Sequence, residues 1–170
     1  MFLIRNIKIS VKVQALTLNN ALSILKNKSI VTREFGNFFS FKSNSYTFVI
    51  FKRGKQENNH INITQIPNFI SINKAINCLI SLINCRVCHY VIDNIIATSD
   101  LHKIISLDSV IKSKRFKRVK YNSEIFPGLF IKFSQGTTII FHSGKLVIVG
   151  CKSIDKIECI LNTIHANMST

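Results

Sequence analysis

The chain is poor in several features that define other classes of protein. Its 170 residues include two prolines, six glycines, no tryptophan and eight acidic side chains. Few Gly and Pro together with 46% hydrophobic residues exclude a disordered or collagen-like chain. No apolar run reaches 18 residues, so no membrane span is predicted, and the three apolar residues between Met1 and Arg5 are too few for a signal-peptide core. The sequence predicts an intracellular globular protein.

The shortage of acidic residues leaves a formal net charge of +15, from 23 basic side chains. A chain this basic favours a polyanionic partner, either nucleic acid or an anionic membrane surface. The densest basic run is Lys112–Lys120, KSKRFKRVK. It is typical of a solvated helix end and loop, of a nuclear import signal, or of a contact to the rim of bound DNA, and the sequence leaves these open.

Five cysteines, an odd number without a signal peptide, indicate reduced thiols inside a cell. The segment Cys85–His89, CRVCH, matches the c-type haem attachment pattern. It also offers three of the roughly four ligands that a zinc site needs. We favour a short connector in which the cysteines act as small hydrophobic residues. The five histidines lie near no carboxylate cluster, so the sequence predicts no enzyme, no cofactor and no small-molecule substrate.

The pattern of apolar residues predicts two successive sets of strands and helices. Alternation over 3–13 predicts a strand with a buried face at Ile7, Ile9, Val11 and Val13. A helix capped by Thr17 or Asn19 follows, then strands and an amphipathic helix at 30–32, 35–41, 46–51, 61–66 and 72–83. The order then restarts with a strand, a helix, four strands and a helix, at 91–99, 100–111, 116–121, 126–133, 137–141, 146–149 and 154–168.

The three strands between Phe126 and Lys152 are apolar on both faces, although helices are available to cover only one. The uncovered face carries Phe126 and Phe141, each at the edge of a glycine-containing turn. Exposed apolar surface of this kind usually marks a binding site.

This stretch resembles the second repeat of the TATA-box-binding protein family. The resemblance rests on EIFPGL at 124–129, IFHSGK at 140–145, and Val147, Gly150 and Lys152. The first half of the chain matches the same pattern at pairs of positions 85 to 91 residues apart: Asn6 with Asn94, Phe35 with Phe126, Phe51 with Phe141, and Thr64 with Val149. We therefore predict two repeats, 1–86 and 87–170, within one DNA-binding unit.

The resemblance implies an α+β fold: a pseudo-symmetric saddle whose curved ten-stranded antiparallel sheet carries four helices on its convex face. It implies a general transcription initiation factor that binds and bends A+T-rich promoter DNA through the minor groove. The implied intercalating residues are Phe35, Phe51, Phe126 and Phe141. The implied minor-groove contacts are Asn6, Asn94, Thr64, Val49, Ile96, Ile139, Val147 and Val149. The implied phosphate contacts are Arg33, Lys55, Lys132, Lys145 and Lys152.

Partners and location also follow from the resemblance. It implies contact with transcription factors A and B and the RNA polymerase machinery, with no membrane partner, and a place in the nucleus. Glu124 and Ile125 match the surface to which transcription factor B docks. Two other functions remain open: an accessory nucleic-acid-binding domain of the same fold without TATA preference, and a scaffold that only holds transcription factors.

The first half departs from the family pattern more than the second half does. Phe41 stands at the expected place of a basic residue, and Asn62 replaces an apolar one. Residues 52–54, 56–60 and 65–67 also differ from the family's turns and strand end. Strict TATA preference is therefore less firmly predicted for this half.

Overall fold

The computed structural model of the chain describes residues 1–14, 16–51 and 59–168. It has ten strands and four helices, and none of the helices described is long and apolar enough to cross a membrane. The strands are β1 (Phe2–Gln14), β2 (Thr32–Glu34), β3 (Phe38–Ser43), β4 (Tyr46–Phe51), β5 (Asn59–Ile66), β6 (Arg86–Asp100), β7 (Val119–Asn122), β8 (Phe126–Lys132), β9 (Thr137–Phe141) and β10 (Lys145–Cys151). The helices are α1 (Leu18–Asn27), α2 (Ile70–Ile83), α3 (Leu107–Lys112) and α4 (Ile154–Met168).

All ten strands belong to one sheet, in the order β2-β3-β4-β5-β1-β6-β10-β9-β8-β7. The paired strands run antiparallel, and strands that follow one another along the chain form hairpins at both edges. This architecture confirms the predicted α+β class with a ten-stranded antiparallel sheet and four helices.

The chain divides into two compact units. We call Asn6–Asp93 the Asn6 unit, and Met1–Arg5 together with Asn94–Thr170 the Asn94 unit. The predicted repeat boundary between residues 86 and 87 stays a prediction.

Alternation along the strands gives each unit one buried face and one half-exposed face. In the Asn6 unit, Phe39, Phe48 and Ile63 are fully buried, and α2 turns Ile72, Ala75 and Leu79 into the core. In the Asn94 unit the core contains Leu129, Ile140 and Ile148 together with inward residues of α4. We call the opposite, half-exposed face of the strands in each unit its open face.

The predicted helix over 100–111 is wrong in its first half, because strand β6 continues to Asp100 and α3 begins only at Leu107. The intervening backbone is tied to the β9–β10 turn: the Leu101 amide donates to the Gly144 carbonyl, and the Ile105 amide to the His142 carbonyl. Amides already paired with that turn are not available for helical hydrogen bonds. The α3 helix starts where the Ser106 side chain accepts from the Ser109 amide.

Strand register corrects the assignment of Phe41 to the basic position. Lys42 lies opposite Thr47, just as Lys132 lies opposite Thr137, so Lys42 is the counterpart of Lys132. Phe41 points into the core and is 2% exposed. The error arose because one additional residue lies between Phe35 and β3, which shifts a count that starts at Phe35 by one position.

Candidate nucleic-acid interface

The open face of the Asn94 unit carries a cluster of three phenyl rings. Phe126 begins β8 and lies 5.3 Å from Phe130 and 5.9 Å from Phe141, measured between ring centroids. A Cβ atom on Gly128 would lie 2.6 Å from both Phe126 Cε1 and Ile139 Cγ2, so the rings meet only because that residue is glycine. Phe126 is still 37% exposed. An apolar edge is therefore presented to solvent from a strand that is paired on both sides.

The Asn6 unit builds its ring cluster differently. Phe35 lies in the turn between β2 and β3, and its amide donates to the Phe38 carbonyl. Its ring stacks on Phe38 at 4.5 Å, and Phe38 in turn lies 5.9 Å from Phe51. Phe38 faces Phe51 across the strands as Gly128 faces Phe141. Phe38 thus occupies the place that glycine leaves open in the other unit, a feature that the sequence comparison missed.

Asn6 and Asn94 have the same environment in their respective units. Asn6 Oδ1 accepts from the Gln65 amide at 2.8 Å, and Asn94 Oδ1 accepts from the Gly150 amide at 2.6 Å. Both donors lie at irregularities of strand pairing and have positive φ, 67° and 87°. Because a backbone amide can bond only to the oxygen of the side-chain amide, both Nδ2 groups are left as donors.

The remaining predicted groove contacts are half-buried on the open faces. Each has at least one fully buried neighbour along its strand, as Ile139 has Ile140. In the Asn6 unit they are Val49 and Thr64, and in the Asn94 unit they are Ile96, Ile139, Val147 and Val149. Their roles stay predictions. The four positions are all apolar in the Asn94 unit, whereas the two in the Asn6 unit are Val49 and the polar Thr64. We call these positions and their half-buried neighbours on each open face the floor of that unit.

Exposed cations border these floors. Arg33 on β2 lies opposite Ser40, and Lys145 and Lys152 are exposed at the start of β10 and just after its end. Lys132 lines an open groove of about 800 Å³ together with Phe126, Phe130, Arg118 and Lys120. Arg118 and Lys120 were not among the predicted phosphate contacts. Lys55 lies outside the described residues.

Strand register explains why Arg118 and Lys120 join that groove. Lys120 lies opposite Phe130, and the Arg118 carbonyl accepts from the Lys132 amide, so all these side chains share the open face. The Phe116 ring contacts the ring of Phe133, just after the end of β8, with the centroids 6.2 Å apart. Within residues 1–14, 16–51 and 59–168, no ion pair neutralises Arg118, Lys120 or Lys132.

The loop before β8 presents the two predicted partner residues to solvent. Glu124 is exposed and its amide donates to Asn122 Oδ1, while Ile125 is 82% exposed. An apolar side chain held out beside a carboxylate can contact another protein.

The CRVCH segment is not a connector as predicted: only Cys85 lies between α2 and β6, and residues 86–89 are the first residues of β6. Cys85 is buried, and burial raises the pKa of its thiol, whereas Cys88 and His89 are exposed on the strand. The described part of the chain contains no group of three or more His, Cys, Asp or Glu side chains placed to hold a metal ion. Burial also raises the pKa of the Cys151 thiol, against a smaller lowering effect of Lys156.

The fold and the open faces define a class: a two-unit α+β domain that offers apolar rings, amide donors and bordering cations. Residues 89–170 match the family model described as "Transcription factor TFIID (or TATA-binding protein, TBP)". The solved structure of Methanococcus jannaschii TBP superposes with a TM-score of 0.81 over 99% of this chain and 98% of that one, at 24% identity, which shows the fold.

Curated relatives match in sequence over less than half of the chain. The TATA-box-binding protein of Thermococcus celer is 40% identical over 75 residues, 43% of this chain and 39% of that protein. The TATA-box-binding protein-like 1 of Entamoeba histolytica is 40% identical over 67 residues, 38% of this chain and 30% of that protein. The matched stretch thus spans about two fifths or less of these relatives. Residues 89–170 are therefore similar to the TATA-box-binding protein family, and the chain has the fold of a solved structure named as TBP.

The two asparagines can be tested by stability measurements. Asn94→Asp keeps an oxygen for the Gly150 amide, so we expect an unfolding free energy close to that of the wild type. Asn94→Leu removes the acceptor of that exposed amide and should lower the unfolding free energy by about 0.5–1.5 kcal/mol, the net contribution of a typical hydrogen bond. Chemical denaturation of both variants measures this difference, and equal stabilities would show that the Asn94 Oδ1 contact does not hold the strand irregularity in place.

Proposed function

We propose that this protein is a transcription initiation factor that binds and bends A+T-rich promoter DNA through the minor groove and nucleates assembly of the preinitiation complex. The observation that carries the proposal is the open face of the Asn94 unit, which combines the exposed Phe126 ring and its half-buried neighbour Phe141 with an apolar floor and the Asn94 amide donor. The family is one of DNA-binding transcription factors, not of enzymes.

The chemistry of the minor groove fits this floor. A·T pairs show only acceptors there, whereas G·C pairs add the guanine amino group. Apolar side chains such as Ile139 and Val147 offer that amino group no acceptor, while the Asn94 Nδ2 group can donate to adenine N3 or thymine O2. A floor of this kind binds A·T pairs and leaves a guanine amino group desolvated without a partner.

The ring clusters supply the means of bending. Phenyl rings that enter a base step unstack it and kink the duplex, the TATA-box-binding protein itself being a known example. The Phe126 ring contacts Phe130 and Phe141, and these contacts are possible because Gly128 has no side chain. Flexible pyrimidine–purine steps make A+T-rich sequences such as TATA less costly to deform.

Selection of bound sequences from a random DNA pool tests the proposal. We expect enrichment of A+T-rich sites by the wild type, and loss of enrichment by Asn94→Asp, in which a carboxylate oxygen replaces the donor and repels groove acceptors. Energy transfer between dyes at the ends of a selected duplex then measures bending. Equal binding of all duplexes would instead indicate an accessory nucleic-acid-binding domain, and no binding at all would indicate a scaffold.

Three cations, Arg118 just before β7, Lys120 in β7 and Lys132 at the end of β8, are proposed to bind the phosphate backbone. The Arg118→Ala/Lys120→Ala variant should reduce the slope of log affinity against log salt by about 1.8, because each phosphate contact contributes about 0.9. Fluorescence anisotropy with a labelled A+T-rich duplex measures the slope. The matched control, Lys112→Ala/Lys114→Ala, removes the same charge from α3 and the turn after it. Equal slopes for the two variants would contradict a specific phosphate contact.

The loop at 123–125 is proposed as the docking surface for transcription factor B, with transcription factor A and RNA polymerase as further partners of the assembly. Charge reversal in Glu124→Lys should weaken recruitment of factor B to the protein–DNA complex while DNA binding itself persists, since Glu124 does not line the groove that holds Phe126 and Lys132. A supershift assay reads both quantities from one gel. Undiminished recruitment would remove this loop from the interface.

The proposed action on promoters also implies a location inside the cell, and in a nucleated cell this location is the nucleus.

A further inference from the structure

The open face of the Asn6 unit contains a polar cluster made of Lys8, Ser10, Asn62 and Asp93. Ser10 Oγ lies 2.6 Å from Asp93 Oδ2 and 2.8 Å from Asn62 Oδ1, and Lys8 Nζ lies 3.5 Å from Asp93 Oδ2. All four residues are half-buried, and the side chains of Lys8 and Asp93 are 39% and 30% exposed. The cluster therefore stands among the groove-floor positions and is accessible to a ligand.

The corresponding positions of the Asn94 unit are occupied by residues with different side-chain chemistry. Asn6 and Asn94 are 88 residues apart, and the same spacing relates Lys8 to Ile96, Ser10 to Thr98, and Arg5 to Asp93. Asn62 corresponds to Val147, at the 85-residue spacing that relates Thr64 to Val149.

The corresponding contacts also differ in charge. In the Asn94 unit Arg5 Nε donates to Thr98 Oγ1 at 2.8 Å, whereas in the Asn6 unit the Asp93 carboxylate accepts from Ser10. The floor of the Asn94 unit thus has a cation and apolar groups at the positions where the floor of the Asn6 unit has hydrogen-bond acceptors.

Hydrogen-bond chemistry fixes where the acceptors are. The Ser10 hydroxyl has one proton, and a carboxylate can only accept, so the hydroxyl donates its hydrogen bond to Asp93. The Asn62 amide must then turn its Nδ2 group to donate to Ser10 Oγ, which leaves the Asn62 oxygen as an acceptor. The contacts of the carboxylate with Ser10 and Lys8 both fall on Oδ2. Within the described residues, Asp93 Oδ1 therefore has no partner.

We infer that the Asn6 unit recognises a G·C base pair, with Asp93 and Asn62 accepting from the guanine amino group. This inference rests on the proposed minor-groove binding. The guanine amino group is the one donor in the minor groove, and the acceptors of an A·T pair would face the Asp93 oxygen without a proton between them. Lys8 offsets the carboxylate charge that would otherwise repel the phosphates. The preferred site is then A+T-rich in one half and contains a G·C pair in the other.

The test scans an A+T-rich duplex with single G·C replacements and measures binding of the whole chain by fluorescence anisotropy. We expect at least one position at which G·C raises the affinity of the wild type, by roughly 5- to 150-fold, the range that corresponds to one good base contact. The Lys8→Ile/Asn62→Val/Asp93→Arg variant copies the floor of the Asn94 unit. It should lose this gain and tolerate no G·C at that position.

A conservative variant covers the case in which the triple variant does not fold. Asp93→Asn keeps the size of the side chain and an acceptor but loses the charge that makes such bonds about twice as strong, so it should reduce the preference for G·C at the same position. Retention of the full preference by either variant would overturn the inference, as would the lack of any position that favours G·C. If the parent duplex itself is bound no better than a G+C-rich one, the proposed function has failed, which is a separate result.

Discussion

The alternation of side chains along antiparallel strands is the constraint on which the rest of this structure depends. One face of each unit is buried beneath helices. Its fully buried residues include Phe39, Phe48 and Ile63 in the Asn6 unit and Leu129, Ile140 and Ile148 in the Asn94 unit. The opposite face receives every second residue of the same strands. It can therefore be apolar, aromatic or charged without loss of the core, and the candidate interface uses this freedom.

The two units show how one framework supports different surfaces. Their asparagines make the same contact with a strand irregularity, which fixes a donor in each floor. Around this common element the side chains diverge: Phe38 stands in place of Gly128, and Asp93 in place of Arg5. A duplicated fold with unlike floors is suited to a target whose two halves differ.

Much of the fold could be predicted from sequence because its signals are local. The alternation of Ile7, Ile9, Val11 and Val13 predicted their buried face, and α4 begins and ends where its periodicity indicated. Thr64 pairs with Thr47 on β4, and Val149 pairs with Thr137 on β9, which agrees with the assumed repeat. The helix over 100–111 failed because its amides are taken by the distant β9–β10 turn, which no local pattern reveals.

The sequence by itself determined the strand and helix pattern, the excess of positive charge and the positions of the rings and asparagines, since these depend on residue type and short spacing. Only the tertiary structure decided which cations share a face with Phe126, that Lys42 is the counterpart of Lys132, and that Asp93 meets Ser10 and Lys8. Those facts depend on strand register and on contacts between residues that are far apart along the chain. Such contacts form only when the sheet is assembled.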